Sequence, residues 1–151
     1  MPFSIVELPA FTVIGLEYIA DGQGGSIAEL WHTFFQRADA LSVPTPPHEW
    51  FGLILSPPPA VLRYVAGIKV DEDTATPEGM IRCKVPAQKY LQFSHVGLAD
   101  NIPDTYDYLY GRILPGRGLE PKKAISFEHY DKRFNGPEDE RSIVDIYLPI
   151  F

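Results

Sequence analysis

The sequence predicts an α+β fold, a mostly antiparallel sheet with two helices on one face and a central cleft. Three observations lead to this prediction. A strand-helix-strand-strand pattern occurs twice along the chain. Each occurrence opens on a Pro-Ala pair, at residues 9–10 and 86–87, an offset of 77 residues. A polar segment that contains Pro and Gly, residues 71–79, separates the two occurrences and is typical of a linker.

Length and composition favour one domain. The chain has 151 residues, of which 45% are hydrophobic and 13% aromatic, and this is enough for one core and short for two domains. We therefore predict a single domain over residues 1–151, with pseudo-repeats at about 1–72 and 80–151. Two βαββ units related by a pseudo-twofold axis leave a groove where they meet, and such grooves commonly bind small ligands.

The first unit begins with a strand in "LPAFTVIGLEYIA", where β-branched and aromatic residues alternate with others. A helix follows, since apolar residues recur at three- and four-residue spacing: Ile27, Leu30, Trp31, Phe34, Phe35, Ala38 and Leu41. Ser26 and Glu29 form a capping box at its start. The strands "WFGLIL" and "VLRYVAGIKV", with the turn "SPPPA" between them, complete the unit.

The second unit repeats this order. Its first strand lies in "VPAQKYLQFSHVG", and its helix places these residues on one face: Ile102, Tyr106, Leu109, Tyr110 and Ile113. The sequence "PGRG" after Leu114 ends this helix. The strands "ISFEHYD" and "SIVDIYLPI" follow. With a two-residue gap allowed, Trp31 in the first helix and Tyr106 in the second occupy matching places.

Composition and motifs exclude several classes of function. The 20 acidic and 13 basic residues give a net charge of −7, which disfavours direct binding to nucleic acid. No apolar run approaches the ~20 residues of a membrane helix, and no signal peptide is evident. The one cysteine, Cys83, fits a cytoplasmic protein. No dinucleotide, P-loop or nucleophile-elbow motif is present, and the histidines lack metal-ligand spacing, so we expect neither cofactor nor metal.

The strand "ISFEHYD" carries a carboxylate, Glu128, among aromatic residues. Because side chains alternate along a strand, Glu128 shares one face with Ser126 and Tyr130, whereas Phe127 and His129 lie on the other. If Phe127 packs into the core, Glu128 is solvated or faces a cleft. If the faces are reversed, Glu128 is a buried carboxylate, which is costly unless it is paired. The residues alone leave these alternatives open.

Aromatic residues of the paired elements are candidates to line the groove between the units. Trp31 and Tyr106 come from the two helices, and Tyr64 and Tyr147 come from the strands. Aromatic residues at such spacing are more often core residues than ligand contacts.

The sequence resembles the GyrI-like small-molecule-binding domain. This family includes the bacterial gyrase inhibitor and the effector-binding domains of several multidrug-responsive transcription regulators. The motifs that carry the resemblance run the length of the chain: "IVELPAFTVIGLEY", "LW", "EWFGLIL", "LYGRILPGRGLEP", "FEHYD" and "DIYLPI". The resemblance implies two βαββ-type units and a ligand-contacting glutamate that maps onto Glu128. It also implies hydrophobic, cationic ligands in an aromatic cleft.

The predicted function is therefore that of a small-molecule-binding protein. The predicted ligand-binding residues are Glu128, Trp31, Tyr64, Tyr106, Tyr110 and Tyr147. The first strand begins at about Phe3 and leaves no room for the DNA-binding region of the related regulators, so we expect a stand-alone form.

Two alternatives follow from the resemblance. Some stand-alone members of the family hydrolyse cyclopropane-bearing genotoxic compounds. In that case Glu128 is the general base and Tyr106 or Tyr110 donates a hydrogen bond. The other alternative is a protein-interaction module with a partner such as DNA gyrase.

Overall fold

The structure of the chain is a computed structural model. It describes residues 3–20, 25–37, 49–56 and 61–151. The predicted helix positions Ala38 and Leu41 lie outside the described residues, as do the prolines of the predicted turn "SPPPA" and most of the loop before Gly25.

The described residues form eight strands and two helical segments. The strands are β1 (Phe3–Leu8), β2 (Phe11–Ile19), β3 (Trp50–Ser56), β4 (Arg63–Val70), β5 (Ile81–Val85), β6 (Gln88–Val96), β7 (Ser126–Tyr130) and β8 (Ile143–Pro149). The first helical segment is α1 (Ile27–Arg37). The second is composite and consists of a 3-10 turn (Ala99–Asn101), α2 (Ile102–Tyr108), a π-helical turn (Leu109–Ile113) and α3 (Leu114–Gly116).

All eight strands belong to one antiparallel sheet, in the order β1-β6-β8-β7-β3-β4-β2-β5. The predicted α+β class, with an antiparallel sheet and two helices, is confirmed. The predicted count of three strands in each unit is wrong, because β1 and β5 are additional strands. Each lies before a Pro-Ala pair, pairs with the other half of the chain and forms one edge of the sheet. Proline has no N–H with which to continue a ladder, so each pair separates two strands.

The strand register reveals the pseudo-twofold relation between the units. Leu8 pairs with Gln88, and Val85 pairs with Phe11, so a shift of 77 residues superposes one pairing on the other. The equivalent strands β3 and β7 pair with each other at the centre of the sheet, where Gly52 lies opposite Glu128. The register within each unit makes these two residues equivalent, so the axis passes between them.

The sheet curls, and both of its faces are buried. In the sheet order β3 and β4 separate β2 from β7, so Phe11 and Phe127 would lie at least about 14 Å apart in a flat sheet. Their ring centroids are 5.2 Å apart. The face on which they lie is therefore concave, and it encloses a core cluster whose buried residues come from six strands.

Both helical segments pack on the opposite, convex face. Phe34 of α1 packs into a cluster with Ile14 and Leu16, and Leu109 packs into a second cluster that includes Leu91. Of the predicted capping box at α1, one hydrogen bond forms, from the Glu29 N–H to Ser26 Oγ at 3.1 Å. In the described part of the chain, no helix is long and apolar enough to cross a membrane.

We predict that Gly67→Ala lowers the free energy of unfolding by about 1–3 kcal/mol. Gly67 pairs with Gly15 where β2 and β4 approach closely. An added Cβ would lie 2.4 Å from the Ile14 carbonyl oxygen and 2.8 Å from Val13 Cγ1. Urea denaturation measures the loss. Gly111→Ala is the control, because nothing lies within 4 Å of its Cβ position. Equal stability of the Gly67→Ala variant and the wild type would contradict the prediction.

Candidate functional site

Glu128 lies near the middle of the sheet on the helix-covered face and is only 5% exposed. Phe127, its neighbour in β7, is 2% exposed and lies in the concave cluster. The sequence-based alternatives assumed that only one face of this strand is buried. In the structure both faces are buried, so Glu128 is not solvated even though Phe127 is a core residue.

Three tyrosine hydroxyls donate hydrogen bonds to the Glu128 carboxylate. Tyr64 and Tyr130 donate to Oε1 at 2.7 and 2.8 Å, and Tyr106 donates to Oε2 at 3.0 Å. Tyr130 shares the face of Glu128 because it lies two residues further along β7. Tyr64 reaches the carboxylate from β4, across β3, and Tyr106 reaches it from α2. We call these four residues the carboxylate cluster.

Glu128 is a buried carboxylate without an ion-pair partner among the described residues. Its hydrogen bonds come from neutral phenols, and no described Lys or Arg forms an ion pair with it. Burial raises the pKa of Glu128 above the ordinary value of 4.5. The hydrogen bonds of the three tyrosines, and after them the charge of His95, offset only part of this rise. Burial, followed by the charge of Glu128, raises the pKa of each of the three phenols. The phenols therefore stay protonated as donors.

Trp31 of α1 extends the carboxylate cluster. Its indole Nε1–H donates to the Tyr64 hydroxyl at 3.2 Å, and its ring lies edge-on to Tyr130, with centroids 5.2 Å apart. Phe134 contacts the other side of Tyr130, with centroids 5.0 Å apart. Trp31, Tyr106, Tyr130 and Phe134 are half-buried, so a partly accessible aromatic rim surrounds the buried carboxylate.

The structure brings four of the six predicted ligand-binding residues together: Glu128, Trp31, Tyr64 and Tyr106. Tyr110 is 43% exposed and lies one turn beyond Tyr106, close enough for its charge to affect the pKa of Tyr106. Tyr147 lies elsewhere. It pairs with Phe127 and stacks on its ring at 4.5 Å, so it belongs to the concave face.

Tyr130 is not among the predicted site residues, although the sequence contains a signal for it. Its two-residue separation from Glu128 in a strand fixes both side chains on one face. Phe134 follows a turn after β7, and no sequence periodicity indicates its contact with Tyr130.

A second polar group lies on the concave side. Ligand atoms of His129, Asp131 and Asp145 lie within 4.8 Å of one another. The Arg133 guanidinium forms ion pairs with both aspartates, and His129 Nε2 lies 2.7 Å from Glu49 Oε1. Because the Arg133 guanidinium is paired with both aspartates, the grouping is an ion-pair network. A separate cavity of about 470 Å³ lies beside α2, between His95 and Tyr108, and none of the predicted site residues lines it.

Sequence comparison identifies the protein family. The sequence matches the GyrI-like small molecule binding domain over residues 1–150, and the chain belongs to this family. The transcriptional regulator BrlR of Pseudomonas aeruginosa is 44% identical over 147 residues. The match covers 97% of this chain and 54% of BrlR, so the chain spans about half the length of that relative.

Solved structures share the fold at low sequence identity. SAV2435 bound to tetraphenylphosphonium is 18% identical with a TM-score of 0.78, and the match covers 100% of this chain and 94% of that one. The EcmrR C-terminal domain is 18% identical with a TM-score of 0.76, and the match covers 99% of this chain and 97% of that one. A hydrolase of Listeria innocua is 13% identical with a TM-score of 0.60, and the match covers 99% of this chain and 91% of that one. At such identities the comparison shows a common fold.

We predict that wild-type stability falls relative to Glu128→Gln as pH rises. Because the pKa of Glu128 is higher in the folded than in the unfolded protein, the folded protein binds more protons between the two values. Stability is therefore lost as pH rises from the unfolded pKa through the folded pKa. The neutral amide of Glu128→Gln lacks this dependence.

Urea denaturation of both proteins from pH 4 to pH 8 measures the difference. Glu120→Gln, at an exposed position, is the matched control and should follow the wild type. A difference between wild type and Glu128→Gln that stays constant over this range would contradict the raised pKa of Glu128.

Proposed function

We propose that this domain binds hydrophobic cations at the carboxylate cluster. The observation that carries the proposal is the buried Glu128 carboxylate, which has three neutral donors and no ion-pair partner among the described residues. Buried charges in proteins are normally paired, because an unpaired charge loses its hydration without compensation. A cationic ligand would supply the missing charge, and a low-dielectric site strengthens that attraction relative to water.

The aromatic rim supports the hydrophobic part of the proposed specificity. Trp31, Tyr106 and Tyr130 are half-buried around Glu128 and present aromatic surface beside one negative charge. Each aromatic face contributes roughly 0.5–2 kcal/mol to binding a cation, depending on how far the site is desolvated. Flat apolar walls place few directional demands on a ligand, so we expect the domain to accept several lipophilic cations.

The relatives support the same class of ligand. The family is one of small molecule binding domains, and the related fold of SAV2435 was solved with tetraphenylphosphonium, a lipophilic cation. The similarity to the transcriptional regulator BrlR, and the fold shared with the EcmrR C-terminal domain, support the proposal that this is an effector-binding domain of the kind found in transcription regulators. The binding cleft and the anchoring role of Glu128 are part of this proposal.

Hydrolysis of cyclopropane-bearing genotoxic compounds is the second candidate function. The observation that favours it is the raised pKa of Glu128, because a carboxylate is a better general base when its pKa approaches the working pH. In this candidate function the Tyr106 hydroxyl, which donates to the carboxylate at 3.0 Å, or the Tyr110 hydroxyl further along the helix, would turn its O–H toward the substrate and donate to it. DNA gyrase as a protein partner rests on the family resemblance and stays a prediction.

We predict that wild type binds tetraphenylphosphonium and that Glu128→Gln weakens this affinity at least about 30-fold, or about 2 kcal/mol, because the bound cation loses its counter-charge. Isothermal titration calorimetry at pH 8 measures both affinities. Triphenylphosphine oxide, a neutral compound of similar shape, should bind both proteins equally. Glu120→Gln should bind tetraphenylphosphonium as the wild type does. Equal affinity of the wild type and Glu128→Gln for the cation would contradict the proposed anchor.

For the hydrolytic candidate, we expect wild type to convert a cyclopropane-bearing genotoxic compound and Glu128→Gln to lose conversion, because the variant has no general base. Mass spectrometry of the recovered compound measures turnover. A compound that binds wild type and is recovered unchanged would exclude hydrolysis and leave binding as the function.

A further inference from the structure

Gly52 lies against the carboxylate cluster from the opposite side of the pseudo-twofold axis. It pairs with Glu128 between β3 and β7. A Cβ at this position would lie 1.9 Å from the Tyr64 hydroxyl oxygen, 2.6 Å from Tyr64 Cζ and 2.9 Å from Glu128 Oε1. No real Cβ atom has such contacts. The hydroxyl of Tyr64 therefore occupies the space that any side chain at position 52 would need.

The sheet order explains this requirement. Tyr64 lies on β4 and Glu128 on β7, with β3 between them. Tyr64 pairs with Ile54, two residues beyond Gly52 along β3. Its ring must lie across β3 for its hydroxyl to reach Glu128 Oε1 at 2.7 Å. Tyr64 is 2% exposed, so its ring has little space into which to withdraw.

We propose that Gly52 is a positioning residue of the ligand site, because its missing side chain allows Tyr64 to cross β3 and donate to Glu128. Its effect on ligand affinity rests on the proposed function. Its effect on the Tyr64–Glu128 hydrogen bond does not. Any side chain at position 52 displaces the hydroxyl and leaves Oε1 with one donor, Tyr130. The pseudo-twofold axis thus passes between Glu128, which carries the charge, and Gly52, whose missing side chain leaves room for the Tyr64 hydroxyl.

The test is the pKa of Glu128, read by NMR from its side-chain ¹³C carboxyl shift, with the resonance assigned by its absence in Glu128→Gln. We expect Gly52→Ala to raise this pKa. The Tyr64 hydroxyl stabilises the ionised carboxylate, so its loss favours the protonated form. Tyr64→Phe removes the same hydroxyl directly and should raise it in the same direction. The double variant should show no further rise, since both changes remove one hydrogen bond.

Gly67→Ala is the matched control. It also adds a methyl group to a crowded glycine of the same sheet, but its contacts are with Val13 and Ile14. General loss of stability would affect both variants, whereas the Glu128 pKa should move only in Gly52→Ala. An unchanged Glu128 pKa in Gly52→Ala, alongside a raised one in Tyr64→Phe, would overturn the proposal.

A second measurement covers the case in which Gly52→Ala does not fold. Tyr64→Leu removes both Tyr64 atoms that a Cβ at position 52 would contact. We expect the alanine to cost far less stability in the Tyr64→Leu background than in the wild-type background, and folding to be restored. Failure of Tyr64→Leu to rescue Gly52→Ala would show that a different contact requires the glycine, and would overturn the proposal.

Ligand binding separates this inference from the proposed function. If wild type binds tetraphenylphosphonium, the pH midpoint of its affinity should move to higher pH in Gly52→Ala, because the carboxylate must be ionised to bind a cation. An unmoved midpoint would overturn the role of Gly52 in the ligand site. If wild type binds no lipophilic cation, the proposed function fails, and the NMR titration alone decides the role of Gly52.

Discussion

The structure depends on one buried carboxylate and the three hydroxyls that solvate it. Removing an ionised carboxylate from water is costly, and neutral donors compensate for only part of that cost. Tyr64, Tyr106 and Tyr130 bring β4, α2 and β7 to the same two oxygen atoms of Glu128. Trp31 connects α1 to them through Tyr64. Both helices and both units are therefore tied to a single charge.

This site breaks the symmetry of a duplicated frame. The strand register repeats between the units, yet the residues on the axis differ, with Gly52 on one side and Glu128 on the other. The tyrosines also differ in place. Tyr64 lies on β4, where the equivalent position on β8 is Val144. The duplicated strands support the site, and the exchange of glycine for glutamate across the axis leaves one carboxylate there. Strict symmetry would place two carboxylates side by side, and these would repel each other.

Local sequence patterns predicted much of the fold. Three- and four-residue spacing located both helices, Ser26 capped the first of them, and strand patterns located six of the eight strands. The pairing of β1 and β5 with the opposite unit escaped prediction, because it is a long-range contact that no local pattern encodes. The curvature of the sheet escaped for the same reason, so the burial of both faces of β7 was not expected.

The candidate site was predictable where one strand or one helix face sufficed. Helical spacing singled out Trp31 and Tyr106, and the strand pattern singled out Glu128 as unusual, but its assignment to a ligand cleft came from the family resemblance. Tyr147 was included wrongly in the expected grouping, because its face depends on the register with β7, in which it pairs with Phe127 and not with Glu128. Gly52 has no side chain to suggest a role, and its importance follows only from the path of Tyr64 across β3.

The most direct test of the central claim is a crystal structure of the protein with tetraphenylphosphonium. We predict that the cation lies beside the Glu128 carboxylate, in contact with Trp31 and Tyr106. A cation bound elsewhere, for example in the cavity beside His95, with the three tyrosine hydrogen bonds to Glu128 intact, would contradict it.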